Sequence, residues 1–181
     1  MYLVRSGSID GFESLVSDLG QNAVTLLSEA GLPSIQLRNP NTYFSYNKVA
    51  DLLDHAAVRC DEPLFGLLLS RRQTSSILGE LAVSVFQEPS VRDAFSSLGK
   101  YLYLHARGAQ VFLREQDDRM LIYLNIDVAG TTGGVQLMQM SVGQLVNFIT
   151  ELLGLEQPRF PVLLQQARPV KDSTRLEQNF L

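Results

Sequence analysis

The chain has 181 residues, 45% of them apolar and 19% charged, with a net charge of −4. That length supports one domain with a real core rather than two large ones, and the negative balance excludes a broad basic field for gripping phosphates. Cys60 is the single cysteine, so no intramolecular disulfide can form; Met1 runs straight into Tyr2, Leu3, Val4 and Arg5 without a signal-peptide pattern, and no stretch reaches the roughly 20 apolar residues of a membrane span.

Residues 5–32 read as two short amphipathic helices separated at Gly20, closed by Gly31 and stopped by Pro33. Asp10 and Glu13 give a start close to a capping box. Phe12, Leu15, Val16 and Leu19 then repeat at helical spacing, and Ala23, Leu26, Leu27 and Ala30 share one face of the second helix. Ser45 reads as the cap of a third helix with Val49, Leu52, Leu53, Ala56, Ala57 and Cys60 in one stripe. Pro63 suits the first turn of a fourth helix, and Arg71 and Arg72 suit its C-terminal dipole. A fifth covers 78–86. Ser90 with Asp93 opens a sixth, whose face carries Val91, Ala94, Phe95, Leu98, Tyr101, Leu102 and His105.

The period then switches from helical to alternating. Residues 110–115 and 120–126 flank Asp117-Asp118 and read as an antiparallel hairpin. Met120, Ile122, Leu124 and Ile126 share one face, with Leu121, Tyr123 and Asn125 on the other. Apolar groups on both faces predict a sheet covered on one side and partly lined on the other. A loop ending Gly-Thr-Thr-Gly-Gly leads to the longest helix, 135–153, ended by Gly154. Residues 160–166 read as a third strand, which Pro158 and Pro161 place near an edge or start. The sum is an α+β fold in a single domain over 1–181: a helical N-terminal half, a hairpin, a long helix and a further strand. The apolar ending Phe180-Leu181 and the thin sheet predict a piece of a longer polypeptide with an incomplete sheet; the alternative is a natural C-terminal helix docking Phe180 on the core.

An opening Arg5-Ser6-Gly7-Ser8, then Gly11-Phe12, Leu19-Gly20 and Leu26-Leu27 followed by Ala30-Gly31-Leu32-Pro33, resembles the N-terminal domain of AraC-type bacterial transcription regulators. The subset is the helical, arabinose-binding-domain-like one, not the jelly roll. Residues 46–60 look like its hydrophobic third helix. Asp61-Glu62-Pro63-Leu64-Phe65-Gly66-Leu67 is similar to its D-P-x-F-G-L element, Leu78-Gly79 before Leu81-Ala82 to its L-G-x-L turn, and residues 90–105 to its T-L-x-E-A-L helix. The resemblance implies an effector-sensing and dimerisation domain, cytoplasmic, not an enzyme, and without a cofactor or metal. Its partners would be an unknown small-molecule effector and a second copy. DNA would be reached only through a helix-turn-helix domain that no pattern after Gly154 supplies.

Candidate ligand contacts are His105, Tyr103, Phe112, Tyr123, Met138 and Gln139, an apolar set with a few directed polar groups, as ligand pockets require. Ordinary packing explains the same residues; His105, near a helix end whose dipole favours the protonated ring, reads either as a contact for an anionic or hydroxylated ligand or as a hydrogen-bonded structural histidine. Gln136, Gln139 and Asn147 punctuate the long helix and serve either a ligand or an exposed polar face. His55 lies off its helix's apolar stripe and reads as solvent-exposed. Val142, Leu145, Val146, Ile149 and Leu152 form a wide stripe that suits either a second copy or the core. The Gly-Thr-Thr-Gly-Gly loop lacks the Lys-Ser/Thr ending of a P-loop and reads as a turn. No catalytic constellation stands out: there is no G-x-S-x-G, and two histidines without a Tyr-x-Ser-x-Arg motif argue against heme. The alternative function is a stand-alone small-molecule-binding protein or enzyme with a pocket between hairpin and helices; a third is a structural dimer with no ligand.

Overall fold

A computed structural model describes residues 2–127 and 134–164. In it the N-terminal helices form where their apolar spacing places them: α1 is Phe12–Asp18 and α2 is Ala23–Glu29. Gly20 and Gly31, with φ of 77° and 65°, end the two in the left-handed conformation that glycine tolerates best. The start of α1 differs from the capping-box expectation. Its N-cap is Gly11, with no side-chain cap, and Asp10 lies one residue outside.

Two three-residue strands, too short to leave a readable period, flank these helices. β1 is Leu3–Arg5 and β2 is Tyr43–Ser45, paired antiparallel with Val4 opposite Phe44. On its other side β1 meets residues 105–107. Arg5 donates its backbone N–H to the His105 carbonyl at 2.8 Å, Arg107 donates to the Leu3 carbonyl at 2.7 Å, and Val4 bridges Ala106. The chain start is thereby stitched between the first helical layer and the end of the sixth helix.

α3 (Tyr46–Arg59) buries the predicted stripe, and Ser45 is its N-cap residue but makes no side-chain cap bond. α4 is Phe65–Ser70, α5 is Glu80–Phe86 behind a 3-10 turn at Ser75–Leu78, and α6 is Val91–Tyr101. Ser90 caps α6 reciprocally with Asp93: its Oγ accepts from the Asp93 N–H at 3.1 Å and donates to the carboxylate at 2.6 Å. A 3-10 turn, Leu102–Leu104, delivers His105 to the edge of β1.

The hairpin is β3 (Ala109–Gln116) with β4 (Arg119–Ile126), turning at Asp117 with φ 53°. α7 (Val135–Leu152) follows and packs along α4 and α3. Its N-terminus is capped from a distance. Asp54 of α3 accepts from the backbone N–H groups of Gly134 at 2.7 Å and Gln136 at 3.1 Å, so a carboxylate already fills the place an anion would take there. Residues 128–133 of the preceding loop lie outside the described residues.

The third strand is corrected: residues 160–164 form no strand, while 165 and 166, like the chain end through Leu181, lie outside the described residues. Phe160 instead packs against the core of α5, α6 and α7. The prolines that suggested an edge strand bracket an irregular segment, as missing N–H donors favour.

Two apolar clusters hold the fold. One gathers α1, α2, α3, α4 and the first turns of α7, with Phe12 edge-on to Phe65 at 5.8 Å. The other gathers α5, α6, β3 and the later turns of α7 around Phe148, which meets Phe95 edge-on at 5.6 Å. α7 serves both clusters, and the hairpin leans on their junction.

Candidate functional site

A cavity of about 60 Å³ lies at that junction. β1 supplies Val4, the N-terminus of α3 supplies Tyr46, α6 supplies Leu98, and the inner hairpin face supplies Ala109, Val111 and Leu124. From α7 come Met140, Ser141, Gln144, Leu145 and Phe148, a spacing that keeps one helical face turned inward. The 3-10 turn before α5 adds Ser75, Ile77 and Leu78, and His105 and Ser8, both buried, line the cavity as well.

The wall's polar groups divide into those already bonded and those left over. The Tyr46 hydroxyl bonds Ser141, and burial pushes its pKa up to about 12, so it stays a neutral phenol. Gln144 Nε2 donates to the Ser8 carbonyl and to Gln73 Oε1, both at 2.8 Å. Ser75 bonds the Glu151 carboxylate through its N–H at 3.0 Å and through its hydroxyl. Ser8 Oγ and His105 Nδ1 are buried and have no partner among the described residues, and the same holds for Gln139 Oε1 outside the cavity wall. Buried polar atoms are nearly always satisfied, so two unpartnered atoms in one cavity wall make it the candidate site. Burial, with the Arg5 charge nearby, pulls His105 down to about 4 and keeps its imidazole neutral at pH 7. The Arg5 guanidinium itself donates to the Ile77 carbonyl at 3.3 Å and to Asn41.

Of the six candidate ligand contacts, the structure brings only His105 into the cavity wall. Phe112 and Tyr123 stack on each other at 5.1 Å on the outer hairpin face, 48% and 37% exposed. Strand parity decides this: Val111 and Leu124 point inward, so their neighbours point out. Tyr103 is 54% exposed in its 3-10 turn. On α7 the inward methionine is Met140 rather than Met138, and Gln139 faces the Pro63 carbonyl, to which its Nε2 donates at 3.3 Å. Sequence reasoning missed Ser8, because a serine in a loop carries no periodic signal, and it missed Tyr46 and Met140.

The α7 amides serve the backbone. Gln136 donates to the Pro63 carbonyl at 2.9 Å and accepts from the Gly66 N–H at 2.8 Å. Asn147 donates to the carbonyls of Ser70 and Gln73 at 2.8 and 3.0 Å. They tie the ends of α4, which lies against α7 closely enough that a Cβ on Gly66 would overlap the Gln136 carbonyl. In the proposed dimer stripe, Val146 and Ile149 are buried in the core, Leu145 faces the cavity, and Val142 and Leu152 are half-buried. His55 sits 2.9 Å from Glu29 at the surface. Among the described residues no group of three or more His, Cys, Asp or Glu side chains could hold a metal ion, and no helix is long and apolar enough to cross a membrane.

Residues 20–180 match the family described as the arabinose-binding domain of AraC transcription regulator, N-terminal. The chain belongs to this family. The ligand-binding domain is 25% identical over 159 residues to the HTH-type transcriptional regulator VirS of Mycobacterium tuberculosis, in the strains CDC 1551 / Oshkosh and ATCC 25618 / H37Rv. The alignment covers 87% of this chain and 46% of each relative, so this chain spans about half the length of the curated relatives it matches.

Proposed function

We propose that this AraC-type ligand-binding domain takes a small effector into the cavity between the hairpin and α7, and passes its occupancy to a helix-turn-helix part that grips DNA. The observation that carries the reading is the two unpartnered buried atoms, Ser8 Oγ and His105 Nδ1, in a largely apolar wall. The family and the name of the VirS relatives, HTH-type transcriptional regulator, support the DNA-directed output.

The mechanism is a population shift: an effector that fits one cavity width better than another favours that arrangement. α7 is the element that senses width. One of its faces walls the cavity and another is locked on α4 by amide bonds, so a change at Met140 or Phe148 is felt along the whole helix. Self-association belongs to the same proposal, with the half-buried Val142 and the exposed Leu153 as the surface that α7 leaves for a second copy, while Leu152 packs on the core. Sedimentation of Leu153→Glu reads this directly: a fall to monomer mass supports it, and an unchanged mass removes α7 from the interface.

The effector reading is tested by thermal-shift screening of metabolites against the natural domain and Ala109→Leu. Ala109 is half-buried in the cavity wall, so a leucine there projects its extra carbons into the space. An effector raises the melting temperature of the first protein and not of the second. A broad screen with no such compound ends the proposal.

A further inference from the structure

We infer that the cavity selects small uncharged molecules with a short hydrocarbon body and a hydrogen-bonding head, an alcohol or a ketone rather than a carboxylate or an amine. The inference deepens the effector reading above and rests on it. Its first ground is the hydrogen-bonding capacity of the wall. Tyr46, Ser141, Ser75 and the amide nitrogen of Gln144 are bonded within the protein, while Ser8 Oγ and His105 Nδ1 are buried without a partner, so a guest with a hydrogen-bonding head has groups to meet.

The second ground is charge. No lining side chain is ionised at neutral pH: His105 is held neutral, and the remaining wall is aliphatic, aromatic, hydroxyl or amide. Arg5, whose charge acts on His105, has its guanidinium on the Ile77 carbonyl and Asn41, and Glu151 is engaged by Ser75. A carboxylate or an ammonium group would therefore enter without a counter-ion, which an apolar interior strongly resists. The third ground is size. An apolar cavity of about 150 Å³ admits benzene. At about 60 Å³ this one suits, in the same proportion, a guest of about two or three heavy atoms, or of four with a small outward movement of its walls.

The test uses four probes of four heavy atoms each: propan-1-ol, acetone, acetate and propylammonium. Each is titrated at pH 7 while the methyl NMR signals of Met140, Leu124 and Val111 are followed. Propan-1-ol and acetone should give saturable shifts with dissociation constants at least tenfold below those of the other two. Ser8→Ala should weaken propan-1-ol about fivefold without lowering the melting temperature, because its hydroxyl has no protein partner to lose. Acetate or propylammonium binding as tightly as propan-1-ol would overturn the class of guest and leave the effector cavity standing. Four probes that all leave the three methyl signals unmoved would overturn both.

Discussion

His105 is the residue at which burial and chemistry conflict most openly. A ring buried with an unpartnered Nδ1 resists protonation, and its pKa falls from the usual value near 6.5 to about 4. Between those two values the unfolded chain binds the proton and the folded one does not. Its contribution is therefore fully present above pH 6.5 and lost as pH falls toward 4. The shift corresponds to roughly 3 kcal/mol, an upper figure for one buried group. Urea unfolding at pH 7.5 and 4.5 should show the natural domain losing more stability on acidification than His105→Leu does; equal losses would mean that His105 does not titrate in that window. Glu29, whose carboxyl is lowered by the His55 hydrogen bond, loses its own stabilising pairing at lower pH in both proteins, so it cancels in the comparison.

At the scale of elements, the α4–α7 crossing is set by a missing side chain. A Cβ on Gly66 would stand 2.9 Å from the Gln136 carbonyl carbon and 3.0 Å from the Met140 nitrogen, both backbone atoms that cannot rotate away. Gly66→Ala should cost about 3 kcal/mol by forcing the helices apart, read as a lowered urea midpoint; a midpoint within experimental error of the natural one would show that α7 moves freely on α4. The cap that Asp54 places on α7 is smaller in effect: Asp54→Ala should cost about 1 kcal/mol, measured the same way, and a stability unchanged or raised would deny the cap. The glycine of Pro63-Leu64-Phe65-Gly66 was visible in the sequence as part of a motif. What it does was not, because its partner is 70 residues away.

Across the whole molecule, what was legible followed the length of each periodic run. The stripes of α3 and α6, the reciprocal cap at Ser90 and the hairpin around Asp117 all carried enough residues to define a face. β1 and β2, at three residues each, carried too few, although they are what brings His105 to the cavity. In the hairpin the two faces were separated correctly, yet the aromatic pair Phe112 and Tyr123 was chosen for residue type while parity placed Val111 and Leu124 inside. The amides of α7 read as a ligand set or an exposed face because nothing local reveals that their partners are the carbonyls of Pro63, Ser70 and Gln73. The central proposal is that filling the cavity changes how a helix-turn-helix part joined to this domain holds DNA. The most direct measurement is the operator affinity of the domain joined to the proposed DNA-binding part, with and without a saturating compound from the thermal-shift screen, in the natural sequence and in Ala109→Leu. The account predicts a change of at least about fivefold in the first and none in the second; an operator affinity that the compound leaves unaltered in the natural protein would contradict it.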